Sequence, residues 1–201
     1  EQKLAALAKE GHPVVRLVLD DRLDLGQEFF RWELATAVVG SVLRINAFDQ
    51  PNVAESKKNT EAVLSKKQPP SPAASKAEIE TFLSGIKPGD YLAIMAYLPP
   101  TIDNDRRLAA IRLKLRDRLK VATTLGYGPR FLHSTGQLHK GGRSIGHYLQ
   151  ITEKVEKDIK IPDETFTFGE LESAQAEGDL QALRGRKRPA IRVEGLAALE
   201  K

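Results

Sequence analysis

The run Pro13-Val14-Val15-Arg16-Leu17-Val18-Leu19 and the helix after it constrain the fold most. The run is β-branched and apolar, the pattern of a buried strand, and Asp20-Asp21 ends it. From about Leu25 to Leu43 the sequence reads as a helix apolar on most sides, which has to be buried against a sheet. A strand followed by such a helix argues an α/β fold with parallel pairing. Ahead of both, Gln2 to Glu10 reads as a short helix closed by Gly11.

Further along, Lys66-Lys67-Gln68-Pro69-Pro70-Ser71-Pro72-Ala73-Ala74-Ser75 reads as a linker, with three prolines and no bulky apolar residue. Ser75 and Glu78 are spaced as a capping box, opening a helix to Ile86. Tyr91 to Leu98 is a buried strand stopped by Pro99-Pro100, and Asp103 or Asn104 caps a helix to about Lys120. In that helix Leu108, Ile111, Leu115 and Leu119 form the apolar stripe against a basic outer face. Val121–Thr124 and Gly146–Thr152 are further strands, a helix runs from about Leu171 to Leu183, and Pro189–Val193 adds an edge strand. The final residues are expected to fray.

Composition excludes several classes. Among 201 residues there is no cysteine, so a disulfide framework and thiolate chemistry are excluded, and a reducing compartment fits. No apolar run reaches the roughly 20 residues of a membrane span. Glu1-Gln2-Lys3 is not a secretory signal and no initiator Met precedes it, so a fragment of a longer protein is expected. The net charge is +4, with much of the excess at Arg184, Arg186, Lys187, Arg188 and Arg192. With few aromatics nearby and no binding motif, a solvated basic face is favoured over a nucleic-acid footprint.

Two stretches carry chemistry. In the first, Phe48 to Lys57, Pro51 suits the first turn of a helix. A helix entered there puts Gln50, Val53 or Ala54, and Lys57 on one face, two turns apart. An amide, an ammonium and free backbone donors then converge where a polyhydroxylated or anionic ligand fits, although a solvated lysine on a plain helix has the same spacing. The second stretch, Gly126 to Gly142, concentrates glycines with Ser134, Thr135, Gln137, Lys140, His133 and His139. The polar groups can meet hydroxyls or phosphate and the histidines can move protons near neutral pH. A glycine-rich hairpin satisfying its own polar groups is the competing reading. No cysteine or acidic partner in the stretch supports a metal, and nothing calls for a cofactor.

Phe48-Asp49-Gln50-x-x-Val53-x-x-x-Lys57 resembles the C-terminal signature of glucose-6-phosphate isomerases (phosphoglucose isomerases). Phe30-Arg31-Trp32-Glu33-Leu34-Ala35-Thr36-Ala37-Val38-Val39-Gly40 and Ile45-Asn46-Ala47 resemble that family's helix and loop before the signature. Asn52 and Ala54 depart from the pattern, which has a small residue and often a glutamate there. The glycine and histidine stretch, with Phe168–Leu171 and Ala174–Leu183, resembles the isomerase half of bacterial proteins in which transaldolase and phosphoglucose isomerase are fused.

The resemblance implies a sugar-isomerase three-layer parallel-sheet fold. Residues 1–66 are then its closing part with the signature helix and 67–75 a linker. Residues 76–165 form a small α/β unit, and 166–201 a C-terminal helix and basic tail. It further implies a cytoplasmic aldose–ketose isomerase in which Lys57 assists ring opening and Gln50 lines the sugar-phosphate site. His133, Gln137 and His139 are expected to help frame that site. The family's glutamate base and phosphate loop lie upstream, so the chain is expected to need a missing isomerase half and to be inactive alone. A fused transaldolase is a further expected partner, and an oligomer is compatible. A non-catalytic sugar-phosphate-binding domain is the alternative.

Overall fold

A β-branched run forms a strand only where a second strand takes up its backbone hydrogen bonds. Among the described residues of Glu1–Asp49 none does so. The computed structural model describes every residue except Gln50, Lys67, Gln68, Glu156 and Lys201, and it divides into two units, Glu1–Asp49 and Gln50–Lys201. In the first unit Pro13–Leu19 is not a strand, and Val15 and Val18 are 84% and 79% exposed. The expected buried strand is therefore corrected. The unit consists of α1 (Gln2–Lys9) and α2 (Asp24–Leu43). Asp24 starts α2 by accepting from the Asp20 and Asp21 N–H groups. No sheet within the unit covers α2. Only Gly40 of the helix is buried, and Phe29, Phe30 and Trp32 stand exposed.

The sheet lies in the second unit. β1 (Tyr91–Tyr97) is buried from Leu92 onward, as a strand covered on both faces must be. β2 (Ala122–Tyr127), β3 (Gly146–Thr152) and β4 (Ala190–Glu194) run parallel to it in the order β2-β1-β3-β4. The register sets Ile94 opposite Leu125 and Leu149, and Leu149 opposite Ile191. In β1 alternate side chains go to opposite faces, so Leu92, Ile94 and Ala96 meet one layer while Ala93, Met95 and Tyr97 meet another. Full burial of a side chain such as Leu92 or Ile94 stabilises the fold by about 1.5–3 kcal/mol.

Helices cover both faces. The chain order is α3 (Pro51–Lys66), α4 (Lys76–Ser84), α5 (Ile102–Leu119), α6 (Gly136–Gly141), α7 (Phe168–Gly185) and α8 (Ala197–Glu200). Ile79 and Leu83 of α4, Leu108, Ile111 and Leu115 of α5, and Leu199 of α8 pack on the first face. Ala176 and Leu183 of α7 pack on the second with Phe131 and Tyr148. A three-layer α/β architecture results.

α3 lies on α7 at a close crossing. A Cβ on Gly178 would stand 2.8 Å from both the backbone N and Oγ1 of Thr60, so only glycine fits without displacement. Asn59 Nδ2 donates to the Gly178 carbonyl at 3.3 Å across the same contact.

The expected division of the chain is redrawn. α3 shares a unit with the sheet, β4 completes that sheet and α7 covers one of its faces, so neither trails it. The described part of the proline-rich segment is held rather than free at Ser71 and Ala74. The Ser71 N–H and Oγ both donate to Glu177 at 2.8 Å, and the Ala74 N–H donates to the Arg192 carbonyl at 2.7 Å. At α8 Leu199 is buried and Arg107 Nε lies 2.6 Å from Glu200 Oε1, and Lys201 lies outside the described residues. Capping boxes open α4 at Ser75/Glu78 and α7 at Thr167/Glu170.

Candidate functional site

The first turn of a helix leaves backbone N–H groups without partners. At α3 one of them is taken by Gln137, which α6 carries across. The Asn52 N–H donates to Gln137 Oε1 at 3.1 Å, and Gln137 Nε2 donates back to Asn52 Oδ1 at 2.7 Å. Gly141 makes room for this pair, since a Cβ there would stand 2.6 Å from Gln137 Nε2. Asn52 Nδ2 also donates to Glu55 Oε2 at 3.2 Å, and Arg186 clasps the same oxygen from Nε at 2.9 Å and Nη2 at 2.7 Å. Burial works to raise the Glu55 pKa, but hydrogen bonds from Arg186 and Asn52 outweigh it and hold the carboxyl below its usual value.

Lys57 follows Asn52 by five residues and Glu55 by two, off the buried line of Asn52, Ser56 and Val63. It is exposed and makes no hydrogen bond or ion pair among the described residues. Gln50, expected beside it, lies outside the described residues.

The glycine and histidine stretch is not a hairpin. It forms the end of β2, a 3-10 turn at Arg130–His133, and α6. His133 is exposed. His139 is 4% exposed and packed among Tyr91, Phe131 and Tyr148, with ring centroids 6.3, 6.1 and 5.1 Å away. Burial, helped by the Lys140 charge, pushes its pKa down to about 4. The imidazole is then neutral at pH 7, which corrects the expectation of a proton carrier near neutrality. Lys140, expected as a ligand donor, is instead buried in an ion pair with Asp179. The Asp179 carboxyl is raised by its burial, against the pull of Lys140.

The basic C-terminal cluster is also used internally. Arg186 holds Glu55, Arg188 donates to the Lys140 and Gly142 carbonyls, and Arg184 donates to the Ala190 carbonyl and Ser71 Oγ. Arg192 is buried: its Nη1 lies 2.9 Å from Glu177 Oε2, and its Nε donates to Gln150 Oε1 at 2.8 Å.

A cleft of about 660 Å³ opens at the carboxyl ends of β1, β3 and β4. Because the chain leaves β1 for β2 on one side and returns to β3 on the other, this is where strand order reverses. Open parallel sheets bind ligands at that place. Tyr97, Thr152 and Arg192 border the cleft from the strands, Glu172 and Ser173 from α7, and Pro70–Ala73 from the segment before α4. Burial raises the Tyr97 hydroxyl well above its usual pKa, with the Asp179 charge adding to it, and burial also raises Glu172.

These cleft residues were missed in the sequence because they are scattered from Val63 to Glu194. One signal was available. Ala190-Ile191-Arg192-Val193 alternates as a half-exposed edge strand does, yet an arginine that α7 covers must find a buried acid, and Glu177 on α7 supplies it.

No family model matches the chain, and no curated protein matches it. Among solved structures it is similar to a hypothetical protein from Thermus thermophilus, with a TM-score of 0.52 and 15% identity. The match covers 77% of this chain and 42% of that one, so this chain spans less than half of that protein's length. At this identity the likeness shows the fold alone, and the fold it shows is α/β with a parallel sheet between helical layers.

Proposed function

We propose that this chain is the C-terminal part of a glucose-6-phosphate isomerase, of the kind fused to a transaldolase, and that Lys57 serves its sugar-phosphate site. The observation that carries the reading is the Phe48–Lys57 stretch. It starts a helix at Pro51, Gln137 anchors its first turn, and Lys57 is left exposed and unpaired among the described residues. Isomerisation needs ring opening, a carboxylate to carry a proton between C1 and C2, and a cation to stabilise the enediolate. An unpaired ammonium suits the first or the last of these tasks.

Glu55 does not suit the second, because Arg186 and Asn52 occupy its carboxylate. That same observation favours two arrangements: a base contributed by a part of the protein outside this chain, or a sugar-phosphate-binding domain without catalysis. Interconversion of glucose 6-phosphate and fructose 6-phosphate by the full-length gene product separates them. Activity in the full-length protein and none in residues 1–201 alone is the expected result. No activity in the full-length protein, with sugar phosphate still bound, leaves the binding domain. Neither activity nor binding removes both.

A further inference from the structure

The cleft at the carboxyl ends of the strands stands apart from the Lys57 site. α3 contributes Val63 and Leu64 to it, roughly 9 Å along the helix from Lys57 and roughly 18 Å from the signature end at Pro51. Two side chains on its floor are incomplete. Tyr97 is 3% and Arg192 4% exposed, and neither Tyr97 Oη nor Arg192 Nη2 has a hydrogen-bond partner among the described residues. Both are donors, and an unpaired buried donor destabilises the fold until an acceptor reaches it. Arg192 brings little free charge, because Glu177 already neutralises it at 2.9 Å.

The walls are apolar, formed by Val63, Leu64, Pro70, Pro72 and Phe166. Among the described residues the rim is acidic: Glu153, Glu172 and Glu194 face a single lysine, Lys154, and Asp158 and Glu170 add further negative charge behind it. Asp158 is held ionised by hydrogen bonds from Thr167 and the Gly169 N–H. A phosphate or carboxylate entering this rim meets like charge.

We propose that this cleft binds a small neutral or cationic molecule with a carbonyl or hydroxyl head, an apolar body and a donor or ammonium end, and rejects phosphorylated and carboxylated ligands. The head accepts from Tyr97 Oη and Arg192 Nη2, the body lies along the prolines and Phe166, and the far end meets Glu153 and Glu172. The volume, about 660 Å³, is that of a small-molecule site. The site differs in ligand charge from any sugar-phosphate site, so its failure and that of the isomerase reading are independent.

Three probes share one carbonyl head and differ in charge: benzamide, 4-(aminomethyl)benzamide and 4-carboxybenzamide. Titrated into the 15N-labelled chain, they should move the amide resonances of Tyr97, Thr152, Ser173 and Arg192 saturably. The cation should bind tightest and the anion about tenfold or more weaker than the cation, the two differing by two units of charge in a partly screened rim. Glu172→Gln should narrow that spread. Tyr97→Phe should weaken all three about fivefold while leaving the melting temperature unchanged or higher, because it deletes an unsatisfied buried hydroxyl. The proposal is overturned if the anion binds tightest, if no probe gives saturable shifts at these residues, or if Tyr97→Phe leaves affinity unchanged.

Discussion

Gln137 and Asn52 exchange two hydrogen bonds, 3.1 and 2.7 Å long, and so fasten α6 to the first turn of α3 across 85 residues of sequence. The amide that looked available for a ligand is thereby committed to the protein. Gln137→Ala should destabilise the chain by about 1–2 kcal/mol, the range for losing a helix cap and a part-buried bond. Asn52→Ala should couple to it in a double-mutant cycle, read from urea unfolding. An unchanged midpoint in both would show the pair to be incidental.

Gly178→Ala tests the helix crossing. Alanine gains about 1 kcal/mol of helix propensity, but its Cβ would meet Thr60 backbone and side chain at 2.8 Å. Pushing α3 off α7 typically costs about 1–3 kcal/mol. The expected result is a net loss of stability, measured by thermal melt. A stabilised variant would mean that α3 is loosely seated.

How much of this was legible in the sequence depends on the range of the interactions. β1 and β3 could be read because their apolar runs carry the evidence of burial themselves, and the Ser75/Glu78 box because capping is local. Pro51 marked the start of α3 for the same reason. Pro13–Leu19 misled because its composition states a preference for pairing but not the presence of a partner. Arg192, Glu177, Gln150 and Ser71 meet over separations of up to 121 residues, and nothing periodic announces them. Lys140 and His139 looked like surface chemistry in a glycine-rich loop. The turn and helix that formed there carried both into the interior.

Glu177→Ala should be among the most damaging substitutions. It leaves Arg192 buried without its carboxylate and removes the acceptor of both Ser71 donors. Orphaning a buried charge costs about 3–5 kcal/mol. Glu177→Met combined with Arg192→Met should recover much of that loss, because no charge then remains unpaired. A single variant as stable as wild type would show that water reaches Arg192 freely.

Acid should unfold the protein in two stages. His139 has a folded pKa of about 4 against an ordinary 6.5, so the unfolded chain takes up this proton first. Stability is unaffected above about pH 6.5 and falls as pH drops from there toward 4, by roughly 3 kcal/mol in all. Glu55 and Glu177 have folded pKa values below the usual 4.5, so their contributions are present above that value and disappear only below it. His139→Phe, which suits the Tyr91, Phe131 and Tyr148 cluster, should flatten the first stage and spare the second. Equal slopes in both proteins between pH 6.5 and 4 would exclude His139 as the cause.

The most direct test of the isomerase reading is turnover of the full-length protein carrying Lys57→Ala, with a thermal melt alongside. Lys57 is exposed and unpaired among the described residues, so its loss should alter stability by no more than about 0.5 kcal/mol. A charge-stabilising or proton-moving group commonly supplies about a hundredfold or more in rate. The account predicts a fall of that size on the cyclic sugar phosphate with the melting temperature unchanged. Lys57→Arg should give no rescue, because a guanidinium is broader and does not release its proton. Wild-type turnover in Lys57→Ala with an unchanged KM would contradict the account and leave Lys57 a surface charge.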